Sequence, residues 1–430
     1  MHQRYNNTTY NSIYLRERKF IANKLRLIPL TISVSIGFII SSIFGMDEFN
    51  SIKVGGISLL QVIRGGLIMS MILALPKSAY FIFTNNRLSR CLLLLTMYII
   101  IMIPLRPYPI EDLVIIFRIL FILVIFVSAF EYFRRGWIGM KWIIFVGWFI
   151  LFSTITMQII GYQLGIEAYE TYYALGGITG SGRLPSEALL AIVPIFFLQN
   201  QKSLSVIIGY LFITGGIVGS LRRSSFVGLV ITFIISSLFD LKYNRNIAYK
   251  FYIVLILSLI SISIYYILFN TPTGVYFQER LHGLIISEGG TGSGRSIFMP
   301  IVLDGIFSRE LYYFLFGEGF GAVRDLLART FGPEIGSHNA WLDLTHALGL
   351  IGLLLFVWFH YEVYRIIKYS TGRYKIAVTS GFIILMVVGM TTGSYFSPSF
   401  APIFIIFGAY SIQITKKYYE VANEAKNIIN

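Results

Sequence analysis

The chain has 430 residues, of which 56% are hydrophobic and only 13% charged, and its formal net charge is +14. Soluble domains carry about a quarter charged residues, so this composition excludes an ordinary soluble protein and indicates an integral membrane protein. Basic loops on one side of a bilayer account for the net charge. We therefore expect a lipid bilayer as partner and no nucleic acid.

Stretches of about 20 predominantly apolar residues predict an all-α polytopic membrane protein with about 12 transmembrane helices. In chain order the predicted spans cover residues 25–45, 55–76, 91–105, 111–131, 142–162, 187–199, 203–220, 225–240, 250–269, 346–364, 376–392 and 399–414. Five basic residues between Arg16 and Arg26 precede the first span and place the N terminus in the cytoplasm. With an even number of spans, both termini are predicted to be cytoplasmic.

Two predicted outward segments are long, at 161–187 and 270–345. The predicted organisation is a bundle of spans 1–9 (residues 1–269), a large extracytoplasmic loop subdomain (270–345), and spans 10–12 with a cytoplasmic tail (346–430). Glycine-rich stretches divide the large loop. The pattern between them predicts short helices at Val275–Ile286, Arg295–Phe307, Glu310–Phe316 and Ala322–Phe331.

The pentapeptide TGSGR occurs twice, at Thr179–Arg183 and Thr291–Arg295, once in each long outward segment. The pair Arg222 and Arg223, in GSLRRSSF, is predicted at the outer end of the eighth span, against the prevailing charge bias. A guanidinium fork matches phosphate oxygens, and flanking glycines let the backbone approach a ligand. The pattern predicts a clamp for a diphosphate; the alternative is a flexible turn with arginines at the membrane interface.

A second polar stretch, GSHNAWLDLTHAL, precedes the tenth span. Ser337 is predicted to cap a helix that continues into this span. On that helix Asn339, Asp343 and His346 share one face, and His338 falls in the first turn. A neutral imidazole there could accept a proton from a sugar hydroxyl or hydrogen-bond a phosphate. The alternative is a helix start whose polar residues simply face water.

Other ionisable residues are weaker candidates. Arg64 and Arg118 fall within predicted spans, where an ionisable side chain is functional or paired, and Arg280 lies in the large loop. With Asp343 and His346 they form a secondary set. The single cysteine, Cys91, excludes a cysteine-cluster metal site. No Asp-x-Asp motif occurs, so a metal-held nucleotide-sugar site of that type is not expected.

Five blocks follow one another over roughly residues 160–360: GSGRLPSEALLAI, RRSSFVGL, GSGRSIFMPIVLDGI, LFGEGFG and SHNAWLDLTHALGLIGLLLF. In this order the sequence resembles the O-antigen ligase and polymerase superfamily of bacterial envelope glycosyltransferases. The resemblance implies a GT-C-like helical bundle in the bacterial inner membrane. It also implies glycan transfer from a polyprenyl diphosphate to an acceptor sugar hydroxyl, without a cofactor, nucleotide or metal.

The resemblance further implies roles for individual residues. Substrate diphosphate binding falls to Arg183, Arg222, Arg223 and Arg295. Catalysis falls to His338, Arg295 and Asn339. The implied partners are a polyprenyl-diphosphate-linked oligosaccharide and a chain-length regulator protein.

Three functions remain open at this stage. A polymerase for O-antigen or capsular polysaccharide is preferred. A ligase that moves finished chains to lipid A–core is the alternative within the same class. A lipid-linked oligosaccharide flippase is the alternative from another class. The large outward loop, the lack of repeated halves and the location of the candidates on one side argue against a transporter.

Overall fold

The structure is a computed structural model that describes residues 86–136, 139–165, 183–199, 203–220, 222–243, 295–331, 337–392 and 395–412, with isolated positions between 53 and 69 and between 258 and 278. The predicted span 25–45 lies outside the described residues. The predicted spans 55–76 and 250–269 and the predicted helix Val275–Ile286 lie mostly outside them.

Twelve helices make up most of the described chain. They are α1 (Arg87–Met102, continued by a 3₁₀ turn Ile103–Leu105), α2 (Pro109–Arg134), α3 (Met140–Gln163), α4 (Arg183–Leu198), α5 (Leu204–Gly219), α6 (Arg223–Tyr243), α7 (Arg295–Phe307), α8 (Leu311–Phe316), α9 (Ala322–Phe331), α10 (Ala340–Tyr369), α11 (Gly372–Thr392) and α12 (Pro398–Ile412). Two strands of two residues each, β1 (Lys53–Val54) and β2 (Ile57–Ser58), pair antiparallel.

Five of these helices are long and apolar enough to cross a membrane, namely α1 with its 3₁₀ turn, α2, α3, α10 and α11. Four further apolar helices, α4, α5, α6 and α12, are shorter and coincide with predicted spans. The protein is therefore an α-helical membrane protein.

Helices α2 and α4 form the centre of the bundle. Their middle residues, Phe121–Tyr132 and Ala188–Phe196, are buried throughout. Apart from Ser128 and Glu131, these two stretches are apolar on every face, as expected for helices surrounded by others. Glycines let neighbours approach closely: a methyl group at Gly408 of α12 would lie 2.4 Å from the main-chain oxygen of Phe126.

The predicted short helices of the large loop are confirmed where the structure describes them. Helices α7 and α9 have the predicted bounds, and α8 begins one residue later because Glu310 is its N-cap. These helices enclose a small apolar core of their own, formed by Phe298, Val302, Ile306, Val323 and Leu327.

Helix α10 is broken at Gly349, whose backbone is non-helical (φ 66°, ψ −167°). The rings of Trp341 and His360 lie 4.7 Å apart, whereas a straight helix would separate these residues by about 28 Å. The chain therefore reverses at Gly349 into two legs, residues 340–348 and 350–369. The predicted continuous helix from residue 337 into the tenth span is wrong, because apolar residues on both sides hide the reversal in the sequence.

The break leaves three carbonyl oxygens at the end of the first leg without intrahelical partners. Donors distant in sequence bond to them. These bonds are Glu318 N to His346 O (3.3 Å), Arg309 Nη1 to His346 O (2.9 Å), Gly319 N to Ala347 O (2.9 Å) and Tyr98 Oη to Leu348 O (2.7 Å). The GEGFG turn thus closes the end of the broken helix.

Candidate functional site

Arg183 begins helix α4 and forms an ion pair one helical turn further on. Its Nε lies 3.0 Å from Glu187 Oε1. The carboxylate is fully buried, whereas the arginine side chain is 39% exposed. A buried carboxylate requires such a partner, so Glu187 holds one side of the guanidinium while the remainder reaches the surface.

The first turns of α4 and α6 are joined by their serines. Ser225 Oγ donates to Ser186 Oγ (3.1 Å), and Ser186 Oγ donates to the carbonyl oxygen of Arg183 (2.9 Å). Both serines are fully buried. Helices α4 and α6 therefore begin side by side, and Arg183 and Arg222 lie at the same end of the bundle.

Arg222 and Arg223 stand at the start of α6. Arg222 is half-buried and precedes the helix, where its carbonyl oxygen accepts from Phe226 N (3.1 Å). Arg223 is the first helical residue, and its side chain lies outside the described part of the chain. The close approach that aligns α6 with α4 is at Gly228, where a methyl group would lie 3.1 Å from Leu190 Cδ2.

The start of α10 is capped by Asn339 rather than by Ser337, so the predicted cap is wrong. Asn339 Oδ1 accepts from Trp341 N (3.0 Å) and Leu342 N (3.3 Å). Ser337 Oγ instead donates to Asp343 Oδ1 (2.6 Å). The side-chain oxygen of an N-cap residue accepts from main-chain N–H groups of the first helical turn, as that of Asn339 does here. The hydroxyl of Ser337 is bound to the carboxylate of Asp343 instead.

His338 precedes the cap and is not in the first turn of the helix, contrary to prediction. It is half-buried, and its φ of 56° is the only positive value among the non-glycine residues of the described chain. Such backbone conformations are costly and concentrate at functional sites. The predicted orienting role of Asn339 would have to use its amide nitrogen, since its oxygen caps the helix.

Helix α11 contacts both the first turn of α10 and the second turn of α6. A methyl group at Gly228 would lie 3.7 Å from Val387 Cγ1, and one at Gly389 would lie 3.9 Å from Trp341 Nε1. Residues 387–389 of α11 thus connect the two helix starts. We call the first turns of α4, α6 and α10, with the residues directly before them, the outer rim.

Arg295 begins α7, and its side chain lies outside the described part of the chain. One turn later, Phe298 belongs to the small core against which Leu342 of α10 packs. The backbone of Arg295 therefore lies near the start of α10, close to the outer rim.

Of the secondary candidates, the structure describes Arg118, Asp343 and His346. Arg118 is half-buried on α2, beside Phe117, which is 3.6 Å from a methyl group placed at Gly65. Arg64 and Arg280 lie outside the described residues. His346 is 2% exposed and packs between α7 and α9, with its Nε2 3.5 Å from a methyl group at Gly305. His346 thus points into the small core and away from the outer rim.

Sequence reasoning missed Glu187 and Arg309. An arginine and a glutamate four residues apart in RLPSE are a signal for the first. Arg309 donates from Nε to Gly305 O (2.6 Å) and from Nη1 to His346 O, and lies 3.5 Å from Glu318. Burial lowers the pKa of Arg309, which Glu318 partly offsets. No sequence pattern indicates this contact, because it joins distant segments.

Within the described residues, no group of three or more His, Cys, Asp or Glu side chains could hold a metal ion. The outer rim instead contains arginines at helix starts, a histidine, and main-chain N–H groups capped by Asn339. Comparison with known proteins adds no assignment: no protein-family model matches the chain, and no curated protein matches it.

Proposed function

We propose that the protein is a polysaccharide polymerase of the bacterial inner membrane, with twelve spans and both termini in the cytoplasm. It transfers a glycan from a polyprenyl diphosphate to a sugar hydroxyl of a lipid-linked repeat unit, in O-antigen or capsule synthesis. The observation that supports this proposal is the outer rim, where the Ser225–Ser186 hydrogen bond holds Arg183 and Arg222 at one end of the bundle.

The reaction breaks the bond between the anomeric carbon and the diphosphate oxygen and forms a bond from that carbon to the acceptor oxygen. Negative charge develops on the leaving diphosphate. Arg183, Arg222, Arg223 and Arg295 bind its oxygens in the proposed mechanism. Preorganised cations stabilise such charge without a metal ion.

The acceptor hydroxyl loses a proton as its oxygen attacks. In the proposed mechanism the imidazole of His338 receives this proton, and the amide nitrogen of Asn339 orients the acceptor. Glu187 does not contact substrate; it fixes the direction of the Arg183 guanidinium through the 3.0 Å ion pair. A partner that restricts rotation lowers the entropy lost when the arginine binds phosphate.

The proposal is tested in the source bacterium by deletion of the gene and complementation, with surface polysaccharide separated on gels. Deletion should leave single repeat units in place of a ladder of chain lengths. Arg295→Lys should also abolish the ladder, since lysine keeps the charge but loses the bidentate fork.

The matched control is Arg329→Lys, at a side chain that is 76% exposed on α9 and pairs with Asp325. It should restore the ladder at the same membrane protein level. Full-length chains that stay on the polyprenyl carrier after deletion would indicate a ligase. An unchanged ladder in the deletion strain, or with Arg295→Lys, would refute the polymerase mechanism.

A further inference from the structure

The turn between α7 and α8 exposes large apolar side chains. Phe307 and Leu311 are 73% and 72% exposed, and Leu303 and Tyr312 are each 40% exposed. We call these four residues the α7–α8 foot. Contiguous exposed apolar side chains of this size mark an interaction surface, whereas the aqueous loop predicted from the sequence would place polar residues there.

The foot is attached to the end of a helix that is able to span the membrane. Arg106 Nη2 donates to the carbonyl oxygen of Phe316, the last residue of α8, at 2.5 Å, and Tyr98 Oη lies 2.9 Å from the same oxygen. The ring of Tyr312 packs on that of Phe316 at 5.2 Å. Helix α8 therefore lies directly beside the end of α1.

The same end of α1 and the start of α2 expose apolar side chains as well, namely Ile101, Leu105 and Ile110. On a membrane-spanning helix such side chains face lipid. The foot continues this lipid-facing surface sideways from the bundle, because Tyr312 packs on Phe316 and Arg106, between Ile101 and Ile110, donates to the carbonyl oxygen of Phe316.

We propose that the α7–α8 foot lies in the bilayer, in the leaflet that surrounds the α1–α2 turn, with phospholipid acyl chains as its occupant. The foot is interfacial rather than spanning, since Asp304 and Glu310 are exposed beside it and would resist deeper insertion. Apolar faces of this type enter about 5–10 Å into the boundary between headgroups and acyl chains. This inference does not depend on the proposed function.

The foot is tested with single-cysteine variants of the full chain that carry a fluorophore, reconstituted in phosphatidylcholine liposomes. Cys91 is the sole cysteine and is buried, so Cys91→Ser gives the background. Phe307→Cys and Leu311→Cys report on the foot, and Arg329→Cys is the exposed control on α9. Labels on the foot should be quenched several-fold more by brominated acyl chains than the label at position 329, and less by aqueous iodide.

Equal iodide quenching at positions 311 and 329 would overturn the proposal and indicate a surface in water that a soluble protein partner could cover. Protection from both quenchers would also overturn it, because the foot would then be occupied by another part of the chain. If Cys91→Ser impairs folding, the variants are labelled in the native background, where the buried Cys91 thiol is protected from the reagent.

Discussion

The outer rim and the break in α10 both contain arginines, but the partners of these arginines differ. At the break, the side chains of Arg106 and Arg309 are 1% and 5% exposed. They bond to main-chain carbonyl oxygens and to carboxylates. At the outer rim, the Arg183 side chain is 39% exposed and pairs with the buried carboxylate of Glu187.

This difference separates two uses of the same side chain. A buried guanidinium that binds carbonyl oxygens satisfies the main chain where a helix stops. A partly exposed guanidinium at the start of a helix can be reached by a ligand from outside the bundle. Counting arginines outside the spans does not distinguish the two, whereas exposure and bonding partners do. The following variants test this distinction.

The largest effect is expected for Arg106→Leu. The side chain of Asp112 is fully buried, 3.3 Å from Arg106, and would be left without its cation. Breaking a buried pair in this way costs about 3–5 kcal/mol, which thermal unfolding in detergent would register as a much lower midpoint. The double variant Arg106→Leu/Asp112→Asn should recover part of the loss. A single variant as stable as the wild type would contradict a structural role.

Gly349→Ala should destabilise the fold by about 3 kcal/mol, because φ is positive and the new methyl group meets main-chain atoms. That methyl group would lie 2.5 Å from the carbonyl carbon and oxygen of Leu315. The matched control is Gly215→Ala in α5, where no atom lies within 4 Å of the methyl position. Equal unfolding midpoints for the two variants would show that the break tolerates a side chain.

Glu187→Gln should reduce polymer formation with little change in stability. Hydrogen bonds to charged groups contribute about 1.5–3 kcal/mol. Without this bond the Arg183 guanidinium is no longer held in one direction, and polymer formation should fall about tenfold or more. Quantified gel ladders would measure it. Glu318→Gln, which removes the carboxylate beside Arg309, is the control and should leave the ladder unchanged. An undiminished ladder with Glu187→Gln would remove Glu187 from the site.

The smallest expected effect is that of pH on the stability of α9, through the carboxyl group of Asp325. The hydroxyl of Tyr108 and the guanidinium of Arg329 lower the pKa of Asp325 below its ordinary value of 3.8. A depressed folded-state pKa contributes stability above pH 3.8 that is lost as the pH falls through the lower folded value. Because Asp325 is exposed, the change should be small.

Hydrogen exchange of α9 amides, measured from pH 5 downward and corrected for the intrinsic rate, would detect this change. Asp325→Asn should remove the pH dependence. Retention of the same dependence in that variant would assign it to another carboxylate.

Local signals in the sequence predicted the elements that depend on local chemistry. Glycine-rich stretches before α7 and on both sides of α9 marked where these helices begin and where α9 ends. Apolar runs predicted the helices from α1 to α6 and from α10 to α12, because burial in a bundle or in lipid requires about the same composition. The arginine and histidine candidates at the outer rim were found from residue type and order.

Features that depend on distant contacts could not be predicted. The reversal at Gly349 depends on its close approach to the main chain of Leu315. Nothing in the local sequence ALGLIGL distinguishes this glycine from one inside a continuous helix. Asn339 and Ser337 are both common N-cap residues, and the carboxylate of Asp343 decides between them. The position of His346 in the small core depends on α7 and α9, which end 39 and 15 residues before it in the chain.

The hydrogen bond from Tyr98 to the carbonyl oxygen of Leu348 joins residues 250 positions apart. A ribosome must therefore complete more than half of the chain between the insertion of α1 and the formation of this bond. Contacts of such large sequence separation form slowly. We expect the contacts around Gly349 to form late in biogenesis. Until then, Tyr98 at the end of α1 lies in the membrane without its bond to Leu348.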